Sequence, residues 1–198
     1  MVERLSSAER RIQIINATLE VISEKGFGSL TTAEIAARVG VTEGAIFKHF
    51  STKSEILREV LLHIRSNLLP LAGGVAGEQL SPEAKLSKLL RSKFNFFSKF
   101  PGVPKIIFSE QVHLSGGGLR EILLSTVMGY SGIVRGIILE GIETGCFRKD
   151  VDPDLATDAF LGLVQVNVFK WSLSGHAWDL AGRVDGIMGY FLRSLKTS

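Results

Sequence analysis

The sequence predicts an all-α protein, and three observations carry that prediction. Apolar residues recur at three- and four-residue spacing almost throughout. Ser/Thr-x-x-Glu capping signals punctuate the first third of the chain. Few segments alternate with a period of two, and no strand–helix–strand alternation is present. The count is nine helices and no sheet.

Ser6 with Glu9 opens the first helix, along which Ile12, Ile15, Leu19 and Ile22 recur, and Gly26 closes it. Thr31 with Glu34 caps a short second helix through Ile35, Ala36 and Val39, broken at Gly40. Thr42 caps a third, ending near His49. Thr52 with Glu55 starts a longer helix carrying Ile56, Leu57, Val60, Leu61, Ile64 and Leu68, with its stop before Pro70. Residues 71–80 hold three glycines and read as a linker.

Ser81-Pro82 supplies an N-cap and a first-turn proline for a fifth helix to about Phe100. A sixth covers Val103–His113, and Ser115-Gly116-Gly117-Gly118 reads as a turn. A long seventh runs over Leu119–Thr144 to Gly145. Asp152-Pro153 opens the eighth, apolar nearly all round, and the ninth spans Trp178–Leu195.

The chain has 198 residues, enough for a core without metals or disulfides. Its 23 basic and 20 acidic residues leave a net charge of +3, which permits a polyanion partner without requiring one. A single cysteine, Cys146, and four scattered histidines make a structural zinc site and an intrachain disulfide unexpected, and point to a reducing cytoplasm. No signal peptide is read at the N-terminus. The most apolar segment, 155–173, contains Asp158, Gln165, Asn167 and Lys170, so no membrane span and no membrane partner are expected.

Residues 32–50 have the spacing of a helix-turn-helix, two short helices about a turn at Gly40. Ala36 allows close crossing, and Ile35, Val39, Val41 and Ile46 supply a small core. That leaves Thr42, Glu43, Gly44, Ala45, Lys48 and His49 on the open side. A helix of that length is about 10 Å long and fits a major groove roughly 12 Å wide. An ordinary three-helix packing motif has the same spacing. Residues 1–53 hold seven Lys/Arg against six Asp/Glu, so placement matters more than the sum. Lys48, His49 and Lys53 cluster at one end of the candidate recognition helix, and helix N-termini at Thr32, Thr42 and Lys53 are natural phosphate sites.

The run Thr31-Thr32-Ala33-Glu34-Ile35-Ala36-Ala37-Arg38-Val39-Gly40-Val41-Thr42-Glu43-Gly44-Ala45-Ile46-Phe47-Lys48-His49-Phe50, with Lys53 and Leu57, resembles the DNA-binding signature of the TetR family of bacterial regulators. The motif covers about a quarter of the chain. Gly145–Pro153 resembles the turn that often precedes the dimerisation helices of that family. The resemblance implies that Thr32 and Thr42 bind phosphates and cap helices. Glu43, Gly44, Ala45 and Lys48 would face base edges, and His49 and Lys53 would grip the backbone. Phe47 stands where most members have Tyr, so a hydroxyl contact to phosphate is replaced by packing on sugar or a thymine methyl, or lost.

The resemblance implies two domains: residues 1–53 for DNA and 54–198 for effector binding and dimerisation, joined by helix 54–69. Independently, the helix from Leu155 to Trp171 has little polar face, and the last helix aligns Val184, Ile187, Met188, Phe191 and Leu195 beside Gly182, Gly186 and Gly189. Phe160, Leu163, Val164, Val184, Ile187 and Phe191 are the dimer-interface candidates, against burial within one chain. For a small-molecule effector the candidates are Phe94, Phe97, Phe108, Tyr130, Val134 and Trp171, against an ordinary aromatic core. Six cations between Ala84 and Ser109 have no acid among them. They read as a solvated face, as an anionic ligand's entrance, or as a contact with DNA.

The function expected is a ligand-responsive DNA-binding transcriptional regulator. It would be a repressor that binds a palindromic operator as a homodimer and leaves it for a small apolar or amphipathic effector, an anionic one included. The alternative is a nucleoid-occlusion DNA-binding protein of the same fold acting through a protein partner, which the segment Phe100–Ile107 resembles. An enzyme is not expected, because no acid, base and nucleophile converge; no cofactor and no metal are called for. Gly129-Tyr130-Ser131-Gly132-Ile133 lacks the last glycine of a nucleophile elbow.

Overall fold

A computed structural model describes residues 5–114 and 118–196. Among the described residues there are ten α-helices and no strand. They are α1 (Ser7–Lys25), α2 (Thr32–Val39), α3 (Glu43–Phe47), α4 (Lys53–Ala76) and α5 (Pro82–Lys99). Then follow α6 (Gly102–Ile107), α7 (Glu110–Leu114), α8 (Leu119–Glu143), α9 (Pro153–Leu173) and α10 (Val184–Leu195). The chain forms two compact units, one of residues 1–65 and 100–124, the other of 66–99 and 125–198. The extra helix arises because the segment expected as one piece over 103–113 is interrupted at Phe108–Ser109. The glycine turn expected at 115–118 lies, but for Gly118, outside the described residues.

In the first unit the capping signals act as their spacing implies. The Ser6 hydroxyl accepts from the Glu9 N–H at 3.2 Å, and the Glu9 carboxylate accepts from the Ser6 N–H at 2.8 Å. These bonds to the charged form hold the Glu9 pKa below its ordinary value. Helix α1 buries Ile14, Ile15, Leu19, Val21 and Ile22, while Ile12 is 43% exposed. Two neighbours, α2 and α6, press on α1, so its apolar stripe is broader than one seam. The α6 contact is close enough to require glycine: a Cβ on Gly102 would lie 2.2 Å from the Leu19 carbonyl oxygen.

Helix α4 continues through Pro70 to Ala76, which corrects the expected stop and the linker beginning at Leu71. Proline removes one helical N–H. Against that, Ala72 and Val75 extend the buried stripe of Ile64 and Leu68 for two more turns, and tertiary burial prevails over local propensity. The connection to α5 is correspondingly short.

The second unit packs α5 against α9, α10 and the 3₁₀ turn Ala181–Arg183. Its core holds Leu86, Leu90 and Phe94 of α5, Tyr130, Val134 and Ile138 of α8, Phe160 and Val164 of α9, and Val184 and Phe191 of α10. Phe160 meets Phe191 edge to face at 5.5 Å between centroids. The turn before α9 folds on a bare backbone: a Cβ on Gly141 would overlap the Phe147 ring at 2.1 Å. Asp152 then caps α9, accepting from the N–H groups of Asp154 and Leu155 at 2.9 and 3.1 Å.

This core bears on two expectations. Among the described residues helix α8, not segment 155–173, is the one long and apolar enough to cross a membrane by length and composition. Within the second unit its Glu140 pairs with Lys85 at 2.7 Å and its Arg135 with Asp154 at 2.6 Å. The basic run is also not a bare cationic face. Lys85 binds Glu140, Lys88 binds Glu78 at 2.6 Å, and Arg91 binds Asp185 at 2.8 Å. In the first unit Lys105 donates to the Ser23 carbonyl at 2.5 Å. Acids distant in sequence supply the partners that the run itself lacks.

Candidate nucleic-acid interface

Helices α2 and α3 are set by their ends. Thr31 accepts from the Glu34 N–H at 3.1 Å, and Gly40 closes α2 in the left-handed conformation, φ 78° and ψ 36°. Thr42 accepts from the Ala45 N–H at 3.3 Å and starts α3. Ile35, Ala36 and Ile46 fill the small core between the helices, and Phe50 is buried just past α3.

The remaining residues of α3 face outward. Thr42, Glu43, Gly44, Phe47 and Lys48 are exposed, and Ala45 and His49 are half-buried. Phe47 is 48% exposed, a large apolar ring with no place in the core. Lys48 meets no carboxylate among the described residues. A Cβ on Gly44 would meet only the Thr42 hydroxyl, at 3.9 Å, so nothing inside the protein requires glycine there.

Three residues of the expected DNA face are held by the protein itself. The Thr32 hydroxyl donates to the Glu43 carboxylate at 2.9 Å, which ties the N-terminus of α2 to that of α3. The Lys53 ammonium donates to the Leu30 carbonyl. The His49 Nδ1 stands 3.4 Å from the Ser7 hydroxyl, and its carbonyl accepts from Arg11.

Arg11, which sequence reasoning missed, joins three parts of the unit. From α1 it reaches the His49 carbonyl, the Phe50 ring at 4.2 Å, and Glu59 of α4 at 3.6 Å. A lone arginine on a helical surface pattern gave no signal of this. The acids of this unit are largely engaged away from α3. Arg38 binds Glu24 and Glu20, which holds the Glu24 pKa below its ordinary value, and Lys25 binds Glu34 at 2.5 Å. Near-neutral total charge thus coexists with an unpaired cation on the outward face of α3.

In the second unit, Phe94, Phe97, Tyr130, Val134 and Trp171 are all buried, and Trp171 donates to the Trp178 carbonyl at 3.0 Å. Phe108 belongs to the first unit and is 39% exposed. Of the dimer candidates, Phe160, Val164, Val184, Ile187 and Phe191 are buried within the chain itself. Leu163 and Ile187 also line an open groove of about 340 Å³ with Asn167, Gly182, Gly186 and Tyr190. Beside it α9 and α10 expose Val166, Phe169, Leu173 and Tyr190, by 44%, 44%, 72% and 67%.

A two-helix reading head with a glycine-hinged turn, set by α1 and α4, is the architecture of a helix-turn-helix regulator. Residues 14–60 match the family described as bacterial regulatory proteins, tetR family, and residues 74–194 match that described as YsiA-like protein, C-terminal region. The chain belongs to the TetR family of DNA-binding transcription regulators.

It is 25% identical over 177 residues to the fatty acid metabolism regulator protein of Bacillus subtilis, covering 89% of this chain and 91% of that protein. The crystal structure of the transcriptional regulator FadR from Bacillus subtilis in complex with stearoyl-CoA has the same fold, with a TM-score of 0.79 and 24% identity, over 93% of this chain and 98% of that one. The nucleoid occlusion factor SlmA of Haemophilus influenzae is 27% identical over 107 residues; that match spans 54% of this chain and 49% of SlmA.

Proposed function

We propose that this protein is a ligand-responsive repressor that binds a palindromic operator as a homodimer in the cytoplasm and is released by a long-chain acyl effector. The observation that carries the DNA reading is Gly44. It lies in a helix, where glycine costs about 1 kcal/mol against alanine, yet no neighbour in the protein needs the space. A backbone left bare toward solvent suits close approach to base edges, with Thr42 and Thr32 at phosphates, Glu43, Ala45 and Lys48 at the groove, and Phe47 against sugar or a thymine methyl. His49 and Lys53 serve as backbone contacts once they exchange their internal partners for phosphate. Residues 1–53 form the DNA-binding domain in this reading, and 54–198 the effector and dimer domain.

The groove of Leu163, Ile187 and Tyr190 and the exposed Phe169 and Val166 support a two-fold contact between α9–α10 pairs. Phe160, Val164, Val184 and Phe191 support it from beneath. The acyl effector is carried over from the Bacillus relatives. The fatty acid regulator matches over 89% of this chain, against 54% for the Haemophilus influenzae nucleoid occlusion factor and 79% for that of Vibrio cholerae, and with the YsiA-like match over residues 74–194 this supports an effector over a protein partner. Genome-wide footprinting followed by titration of stearoyl-CoA into the protein–operator complex tests the reading. Release at micromolar ligand is expected; a footprint at discrete palindromes that no acyl ligand disturbs overturns the effector claim.

A further inference from the structure

Lys93 differs from its neighbours in the basic run. Lys85, Lys88 and Arg91 each hold a carboxylate. The Lys93 side chain is half-buried, and its ammonium rests 3.6 Å above the centroid of the Tyr130 ring. No carboxylate or carbonyl of the described residues pairs with it. Tyr130 is itself 2% exposed, with its hydroxyl directed to the Leu89 carbonyl at 3.5 Å.

A ring face compensates only part of the hydration that an ammonium gives up when it lies against packed helices. Burial accordingly pushes the Lys93 pKa down to about 7. The charge deficit lies between α5 and α8 in the second unit, one residue from Phe94 and four from Phe97, both buried. An anionic oxygen placed on that ammonium would restore the missing partner and favour its charged form.

We infer that Lys93, seated on Tyr130, is the anion-recognition point of the effector site, taking the oxyanion of a ligand whose remainder is apolar. This inference rests on the acyl-effector reading above. The oxyanion has two possible sources in such a ligand, the carboxylate of a free long-chain acid or a phosphate of its coenzyme A ester.

Calorimetry on the full chain with stearate, stearoyl-CoA and uncharged stearyl alcohol separates the possibilities. The parent protein should bind at least one anionic probe on the order of 10- to 100-fold more tightly than the alcohol. At about pH 8 that binding should take up protons, read from the dependence of the heat on buffer ionisation. Uptake with stearate alone assigns the carboxylate; uptake with stearoyl-CoA alone assigns the phosphate.

Lys93→Met should bind all three probes about equally and without proton uptake, and Lys93→Arg should keep the anion preference. An unchanged anion preference in Lys93→Met overturns the inference. If that variant also remains responsive to stearoyl-CoA on DNA, the proposed function stands without it. If the parent binds none of the three probes, the inference and the acyl-effector reading fall together.

Discussion

The Arg11 guanidinium lies 4.2 Å from the centroid of the Phe50 ring while donating to the carbonyl of His49, the residue immediately before it. One side chain of α1 thus fixes both the ring that plugs the small core and the backbone at the end of the reading helix. Arg11→Ala should cost about 1–3 kcal/mol of stability, from a lost charged hydrogen bond and a cation–π contact. Urea unfolding measures the loss. Hydrogen exchange should quicken over 46–50 before the rest of α1 is affected; uniform quickening would show that Arg11 does not act on α3 in particular.

Gly44 separates stability from binding. Gly44→Ala should raise stability by about 0.5–1 kcal/mol, since the new methyl meets open space. The same methyl should weaken operator binding roughly tenfold or more, because it stands where base edges must approach. Fluorescence anisotropy with operator DNA reads the second effect, and undiminished affinity would remove Gly44 from the interface.

Gly102 gives the opposite result. A Cβ there meets the Leu19 carbonyl oxygen at 2.2 Å, and only backbone movement can relieve it. Gly102→Ala should destabilise by about 3 kcal/mol or more. Gly132→Ala in α8, with nothing within 4 Å, should be neutral or stabilising by up to about 1 kcal/mol, and thermal melts compare the two directly.

The exposed and buried faces of α9 and α10 make distinct predictions. Phe169→Glu with Tyr190→Glu should yield a folded monomer at micromolar concentration in sedimentation. Phe160→Ala should instead cost about 3–5 kcal/mol of fold stability, because that ring packs on Phe191 inside the chain. A dimer that survives the double glutamate variant would place the interface elsewhere.

Lys93 predicts a pH dependence. Its folded pKa of about 7 lies below the ordinary lysine value, so the unfolded chain binds more protons between the two, and the penalty is full below about 7 and fades as pH rises toward 10. Lys93→Met should therefore melt at a higher temperature than the parent near neutrality, with the gap narrowing at alkaline pH. A constant gap would mean that the ammonium is hydrated in the folded state.

The helix boundaries legible in sequence were those written in local chemistry. Ser6–Glu9 forms the full reciprocal capping box and Gly40 closes α2 as its spacing implies, while Thr31 accepts from the Glu34 N–H and the Glu34 carboxylate turns to Lys25 instead. The outward set of α3 followed from helical geometry alone. What the sequence did not reveal depends on partners far along the chain. Pro70 stays helical because Ala72 and Val75 find a core. The cations at 85, 88 and 91 are neutralised by acids at 140, 78 and 185. Periodicity marked Phe160 and Val184 as apolar, but it does not distinguish a face turned to the chain's own core from one turned to a second copy.

Those distant ion pairs also shape how the molecule meets a charged polymer. A strip of free cations acts as a monopole, and its reach extends to the Debye length. A cation locked to its own carboxylate acts as a dipole, whose field dies away much sooner. The cations at 85, 88 and 91 therefore add little long-range pull on a phosphate chain. Lys48, which meets no carboxylate among the described residues, keeps its monopole, so this one cation beside α3 reaches farther into solution than the three paired ones of α5.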